Sequence, residues 1–176
     1  LDTKLQKRFE LIKAKLLAFT HSQEEVLAIY KNDNSDPAKY AAAATNFFNG
    51  DKKNSVAEIE SLIKSNPTNP YYHELLGEVY YSQGNFILAI EEQKITIELM
   101  TNINDLHLMM LGSYLLAESS KENIIESINY LNKSLFINKN NSYSWYLLAK
   151  AYALNNNLAL AQYASAERYY LRGDKP

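Results

Sequence analysis

One short string returns along this chain in a fixed frame, and that recurrence limits the fold more than any other feature. Leu76-Gly77-x-x-Tyr80 aligns with Leu111-Gly112 and with Trp145-x-x-Leu148-Ala149-x-x-Tyr152. Ala89, Ser127 and Ala161 then share one column, and the helix-ending positions Pro67, Thr101 and Lys139 share another. Four copies result, over residues 36–69, 70–103, 105–141 and 142–175. The period is 34 residues, with one extra residue at Asn104 and three extra in the third copy, near Glu118 to Glu122. A period of this size marks stacked supersecondary units, none of which can bury its apolar face alone. Apolar residues recur at helical spacing almost throughout, and only 5 Gly and 4 Pro interrupt them in 176 residues. No stretch alternates as a strand would. The expected fold is therefore all-α.

The column pattern resembles that of the tetratricopeptide repeat, two antiparallel helices per unit stacked into a solenoid. The fourth copy carries Trp145, Leu148 and Tyr152, with Ala149 in place of Gly. The second carries His73 where Trp is expected, then Leu76, Gly77, Tyr80, Gly84 and Ala89. The first and third are degenerate: in the first, Lys39 holds the Trp position, Asn46 the Tyr position and Ser55 the small position of the second helix. Packing explains the columns. Gly77, Gly112 and Ala149 are expected where the two helices of a unit meet, facing Ala89, Ser127 and Ala161, because only small side chains let two axes approach closely. Pro67 ends a helix, since it lacks an N–H and disfavours helix at Asn66. Gly50 and Gly84 end others in a left-handed conformation, and Asn155-Asn156-Asn157 is expected to do the same.

Residues 1–35 precede the repeats as a further helical pair. Leu5, Phe9, Ile12, Leu16 and Phe19 form an apolar stripe, which predicts an amphipathic helix over 2–19. Ser22-Gln23-Glu24-Glu25 reads as a capping box opening a short helix to about Tyr30. Pro37 sits in the first turn of the next helix. The pair either caps the first repeat or links to an upstream domain, and the two readings are compatible. At the other end, Tyr169 and Tyr170 predict a continuing array, with Gly173-Asp174-Lys175-Pro176 as a turn. The opening Leu1, not Met, points to an excised piece.

Several function classes are excluded by composition. The chain has 18 basic and 20 acidic residues, a net charge of −2, so no nucleic-acid partner is expected. It has no Cys, which removes disulfides, thiolate metal sites and a Cys nucleophile. No apolar run reaches the roughly 18 residues of a membrane span. His73-Glu74-Leu75-Leu76-Gly77 opens like a zinc-protease helix, but Gly77 stands where the second His must project to the metal. His73 is expected to pack as an aromatic; His107 is either packed or exposed; His21 lies in a turn. There is no Gly-rich phosphate loop and no Gly-x-Ser-x-Gly elbow. Glu24-Glu25 and Glu91-Glu92 are adjacent, so their side chains diverge. Arg172-Gly173-Asp174 is a chance tripeptide. The chain is expected to be no enzyme and to hold no cofactor or metal.

The repeat resemblance implies that the first helix of each unit lines a concave groove. Transferred onto this sequence, the groove residues are Tyr40, Phe47 and Phe48 in the first copy and Tyr71, Glu74, Glu78 and Tyr81 in the second. Met109 and Ser113 follow in the third, and Tyr143, Tyr146 and Lys150 in the fourth. Such a face suits a protein or peptide with an apolar or aromatic segment and a basic residue near Glu74 and Glu78. It does not suit a C-terminal carboxylate, which those two acids would repel. Residues 70–103 hold five Glu and one Lys, whereas residues 1–20 hold five Lys or Arg and two Asp or Glu.

Particular strings carry a narrower resemblance. Ala14-Lys15-Leu16-Leu17-Ala18-Phe19, Asn69-Pro70-Tyr71-Tyr72-His73-Glu74-Leu75-Leu76-Gly77, Ala164-Ser165-Ala166-Glu167 and Leu171-Arg172-Gly173-Asp174 are similar to the C-terminal repeat region of bacterial periplasmic zinc metallopeptidases of the His-Glu-x-x-His type. That resemblance implies a periplasmic, non-catalytic part that binds clients or partners, its own catalytic domain among them, in outer-membrane protein quality control. The alternative is a stand-alone adaptor or assembly factor with no enzyme attached.

Overall fold

The structure, a computed structural model, describes residues 3–173. Across them the chain is all-α, with ten helices. Its contacts divide into two compact units, Leu1–Asn85 and Phe86–Pro176. The division falls inside the second copy of the repeat, between its two helices.

The first unit holds α1 (Thr3–Thr20), α2 (Gln23–Ile29), α3 (Asp36–Phe48), α4 (Lys52–Ser65) and α5 (Pro70–Ser82). The second holds α6 (Phe86–Leu99), α7 (Asp105–Glu118), α8 (Lys121–Ile137), α9 (Ser142–Leu154) and α10 (Leu158–Arg172). Helix starts are set by short polar caps. Ser22, Ser35, Asp51, Asn69, Asn104, Ser120, Asn141 and Asn157 each accept a hydrogen bond from a backbone N–H of the first turn. Ser22 and Glu25 close the expected capping box. Asn104 and His107 close a second, in which the Asn104 N–H donates to His107 Nδ1 at 3.4 Å. His107 is buried. Asn156 turns left-handed after α9 at φ 57°. In the third copy the extra residues lengthen the helices, chiefly the start of α8, and the turn between α7 and α8 is only Ser119 and Ser120, where Ser119 takes φ 61° and Glu118 accepts from the Ser120 N–H at 2.9 Å.

In the first unit α3 is the central helix, with α1, α2 and α4 packed on it. Ala14 and Ala18 of α1 and Ala41 and Ala44 of α3 are fully or almost fully buried in one cluster, joined by Leu11, Val26, Tyr40, Ile59, Leu62, Tyr72 and Leu75. The structure shows which face of α1 docks. Its stripe of large side chains points outward: Leu5, Phe9, Ile12, Leu16 and Phe19 are 53–70% exposed. The inward face is Leu11, Ala14 and Ala18. The reason is steric. Small residues on both helices allow a close approach that the large stripe would block, so α1 has two apolar faces and buries the smaller one.

In the second unit the α7–α8 contact shows why the repeat needs a small residue. A Cβ on Gly112 would lie 2.7 Å from Cγ of the fully buried Leu131. Ser127, read from sequence only as small, also donates its hydroxyl to the Gly112 carbonyl at 2.7 Å. Two other buried polar groups join neighbouring helices. Gln93 Nε2 donates to the His107 carbonyl at 2.9 Å. Ser134 Oγ donates to the Asp105 carbonyl at 2.9 Å and lies 2.9 Å from Ser144 Oγ. Leu116, Leu131, Leu135, Leu147, Leu148, Ala151 and Ala164 form an apolar core of this unit.

The Trp column has a common hydrogen bond. Trp145 Nε1 donates to the Lys139 carbonyl, six residues earlier, at 2.9 Å. His73 Nε2 makes the same contact with the Pro67 carbonyl at 2.9 Å. Imidazole therefore replaces indole as a ring N–H donor to the end of the preceding helix. At the C-terminus Tyr163, Tyr169 and Tyr170 are exposed and Gly173 is left-handed. The remainder of the expected turn, Asp174 to Pro176, lies outside the described residues.

Gly112→Leu should lower stability by about 1–3 kcal/mol, because the added side chain must displace Leu131 inside a filled layer. Urea unfolding of the variant beside the parent checks this, and an unchanged midpoint would refute the close contact.

Candidate functional site

The expected groove residues lie on the first helices of the copies, α3 and α5 in the first unit and α7 and α9 in the second. Within the first unit this face is not open. It carries α1. Lys15 of α1 places its ammonium 2.7 Å from Glu78 Oε1 and 4.0 Å from Glu74 Oε2, with all three side chains at most 24% exposed. Burial alone would lower the Lys15 ammonium, but Tyr40 and the carboxylates of Glu78 and Glu74 more than reverse this and hold it well above its ordinary value. Burial raises the Glu78 carboxyl, with Lys15 opposing and Glu74 adding. Two acids around one base leave the cluster with an excess negative charge when all three are ionised.

Tyr40 was expected on the groove surface, and the structure corrects that: the residue is fully buried. Its hydroxyl donates to the Tyr71 carbonyl at 3.2 Å, and its ring lies 5.7 Å from that of Tyr72. Burial pushes its phenol far above the ordinary value. Tyr40 is core. Phe47 and Tyr71 are half-buried and pack against that core. Phe48 is partly exposed and meets Phe19 of α1 edge-on, with ring centroids 5.3 Å apart. Tyr81 is partly exposed. The basic residue expected of a ligand near Glu74 and Glu78 is thus supplied by the chain itself. The signal for this was in the sequence: Ala14 and Ala18 match the small residues of α3, and Lys15 stands between them.

In the second unit the α7/α9 face presents a different picture. Tyr143 and Tyr146 are exposed, with rings 5.6 Å apart. Arg168 of α10 lays its guanidinium 4.5 Å from the Tyr146 ring centre, a cation–π contact that sequence reading missed. Lys150 and Leu106 are exposed, and Met109 and Ser113 are half-buried. Asn141 Nδ2 donates to Asp105 Oδ2 at 2.9 Å and approaches Met109 Sδ at 3.7 Å. These contacts fix the loop before α9 and so the direction in which Tyr143 leaves it.

Among the described residues no three or more His, Asp or Glu side chains gather as metal ligands. No helix among them is long and apolar enough to cross a membrane.

No family model matches the chain. Over 115 residues it is 33% identical to the beta-barrel assembly-enhancing protease of Escherichia coli strain K12, and equally to that of Shigella flexneri. The match covers 65% of this chain and 23% of each relative, so the aligned part is about a quarter of the relatives' length. Among solved structures, a MamA from AMB-1 superposes with a TM-score of 0.77 at 16% identity, covering 95% of this chain and 99% of that one. YrrB, described as a TPR protein with an unusual peptide-binding site, gives 0.69 at 16% identity over 82% and 72% of the two chains.

Lys15→Met should cost about 2 kcal/mol near pH 7, the scale of a hydrogen bond between charged groups. Because the folded-state value of Glu78 is raised, the stability favouring its neutral form is present at low pH and fades as pH rises through that value. The penalty of Lys15→Met should therefore shrink as pH falls toward 5, which unfolding at a series of pH values would show. A penalty that grows on acidification contradicts the cluster. Tyr40→Ala should cost about 3–5 kcal/mol as a core truncation; thermal unfolding distinguishes this from the small change expected of a surface ring. The fold of the chain is the all-α helical-repeat fold of the tetratricopeptide proteins.

Proposed function

We propose that this chain is a protein-binding module that takes extended or helical segments with apolar and aromatic side chains on the first helices of its repeats. The observation that carries the reading is the exposed pair Tyr143 and Tyr146, beside Leu106 and Lys150, on α7 and α9. Rings that stand out of a helix face without being core supply large contact area at little rotamer cost. The first unit supports the same use of the fold, since its α3/α5 face holds a helix, α1, with a Lys between two Glu.

The similarity to part of a beta-barrel assembly-enhancing protease supports a narrower role. In it the chain is the non-catalytic part of a periplasmic zinc metallopeptidase, acting in outer-membrane protein quality control. It would hold a client while an attached catalytic domain cleaves, and tethering would let a weak binding face suffice. A stand-alone adaptor fits the same fold. An upstream His-Glu-x-x-His segment in the parent gene favours the first role, and a parent without one favours the second.

Tyr143→Ala with Tyr146→Ala should weaken capture of an aromatic-rich client peptide about tenfold or more, the scale of an interface hot spot. The melting temperature should move little, since both rings are exposed. Peptide titration by fluorescence anisotropy beside thermal unfolding checks both, and equal affinity in parent and double variant would remove α9 from the binding face.

A further inference from the structure

The repeat columns place two large residues, Leu and Tyr, on the first helix of a well-formed copy: Leu76 and Tyr80, or Leu148 and Tyr152. In the first copy the same columns hold Ala42 and Asn46. The consequence is visible in the first unit. A pocket of about 230 Å³ lies between one face of α2 and one face of α3, closed at one side by Glu58 of α4. It uses none of the groove residues.

Its lining divides cleanly. Val26, Leu27, Ala38 and Ala42 supply an apolar wall. Glu58 is the one charged side chain, and its Oε2 accepts from Asn46 Nδ2 at 2.9 Å. Asn46 thus has one of its two amide N–H donors engaged with Glu58, and the two side chains keep the Asn46 carbonyl and Glu58 carboxylate oxygens as acceptors. Tyr30 and Thr45 border the same space with other atoms, while their hydroxyl oxygens are buried away from solvent and have no hydrogen-bond partner among the described residues. Burial also raises the Glu58 carboxyl, with Asn46 partly offsetting and Asp51 adding, so a cation arriving there relieves an unfavourable charge. The volume is below that of a drug-sized site and suits one side chain. Leu27 and Gln23 are exposed at the rim, which gives access from solvent.

We infer that this pocket binds a primary alkylammonium group, with its aliphatic stem along Val26, Leu27, Ala38 and Ala42 and its ammonium on the Glu58 carboxylate. The chemistry is shared by a lysine side chain of a partner protein and by a free alkyl diamine. The site exists because the first copy lacks the two large residues that close the equivalent space in better-formed copies. Degeneracy of that repeat is then a binding feature.

The test follows methyl signals of Val26, Leu27, Ala38, Ala42 and Thr45 by NMR in the intact chain. N-acetyl-lysine N-methylamide, cadaverine and the neutral N-acetyl-norleucine N-methylamide are titrated separately. The two cations should shift these signals in a saturable way, and the neutral analogue should bind about tenfold more weakly or not at all. Tighter binding of the lysine amide assigns a protein partner, and tighter binding of cadaverine assigns a free amine; either supports the ammonium site. Glu58→Gln should reduce cation affinity about tenfold. Ala42→Leu restores the column residue and fills the pocket, so it should abolish binding while leaving the melting temperature unchanged or higher. Absence of shifts with both cations in the folded parent overturns the inference. So does equal binding of the neutral analogue, or unaltered binding by Ala42→Leu.

Discussion

Close approach of helix axes at small side chains is the constraint on which the rest of this chain depends. At Gly112 the space is so limited that one methyl group would overlap Leu131. At the α1–α3 contact, alanines on both helices have the same effect. Once two axes are this near, the residues flanking the contact are enclosed whatever their character. That is why Tyr40 is core rather than ligand surface, and why Ser127, a polar residue, is tolerated at a fully buried position: its hydroxyl finds the carbonyl directly opposite. The same closeness governs α1. A helix that docks through Ala14 and Ala18 must turn its large residues elsewhere, and each of these half-exposed Leu or Phe side chains forgoes part of the about 1.5–3 kcal/mol that full burial gives.

The repeat frame was legible because it rests on residues that have one steric solution. Gly and Ala columns, a Pro after a helix and Asn or Ser before the next are direct statements about backbone and packing. The equivalence of His73 and Trp145 was half legible. Sequence reading expected an aromatic at that position and did not foresee the ring N–H bond to the preceding helix end, because that bond depends on where the turn carries the Pro67 and Lys139 carbonyls.

The candidate site was less legible, for a definite reason. A repeat pattern assigns groove positions one helix at a time and contains no information about a helix outside the repeats. It could not show that α1 would lie on α3 and bring Lys15 to Glu74 and Glu78. The docking face of α1 was not legible from its apolar stripe, for a related reason. Counting large residues finds the most hydrophobic face, whereas helix docking here selected the face with the smallest ones. Tyr143 and Tyr146, placed on an ordinary repeat helix, stand exposed on α9.

The buried hydrogen bonds of the second unit bear on a problem peculiar to chains built from similar copies. Away from the small-residue contacts, apolar packing between like helices selects alignment less sharply than a hydrogen bond between two fixed groups does. Gln93 to the His107 carbonyl, Ser127 to the Gly112 carbonyl and Ser134 to the Asp105 carbonyl each join a single pair of partners. A slip of any helix along its neighbour would strand a donor and an acceptor away from water, at about 1–3 kcal/mol for each. These bonds act as pegs in numbered holes: they let a quasi-periodic chain distinguish its own residue count from every near-identical misalignment.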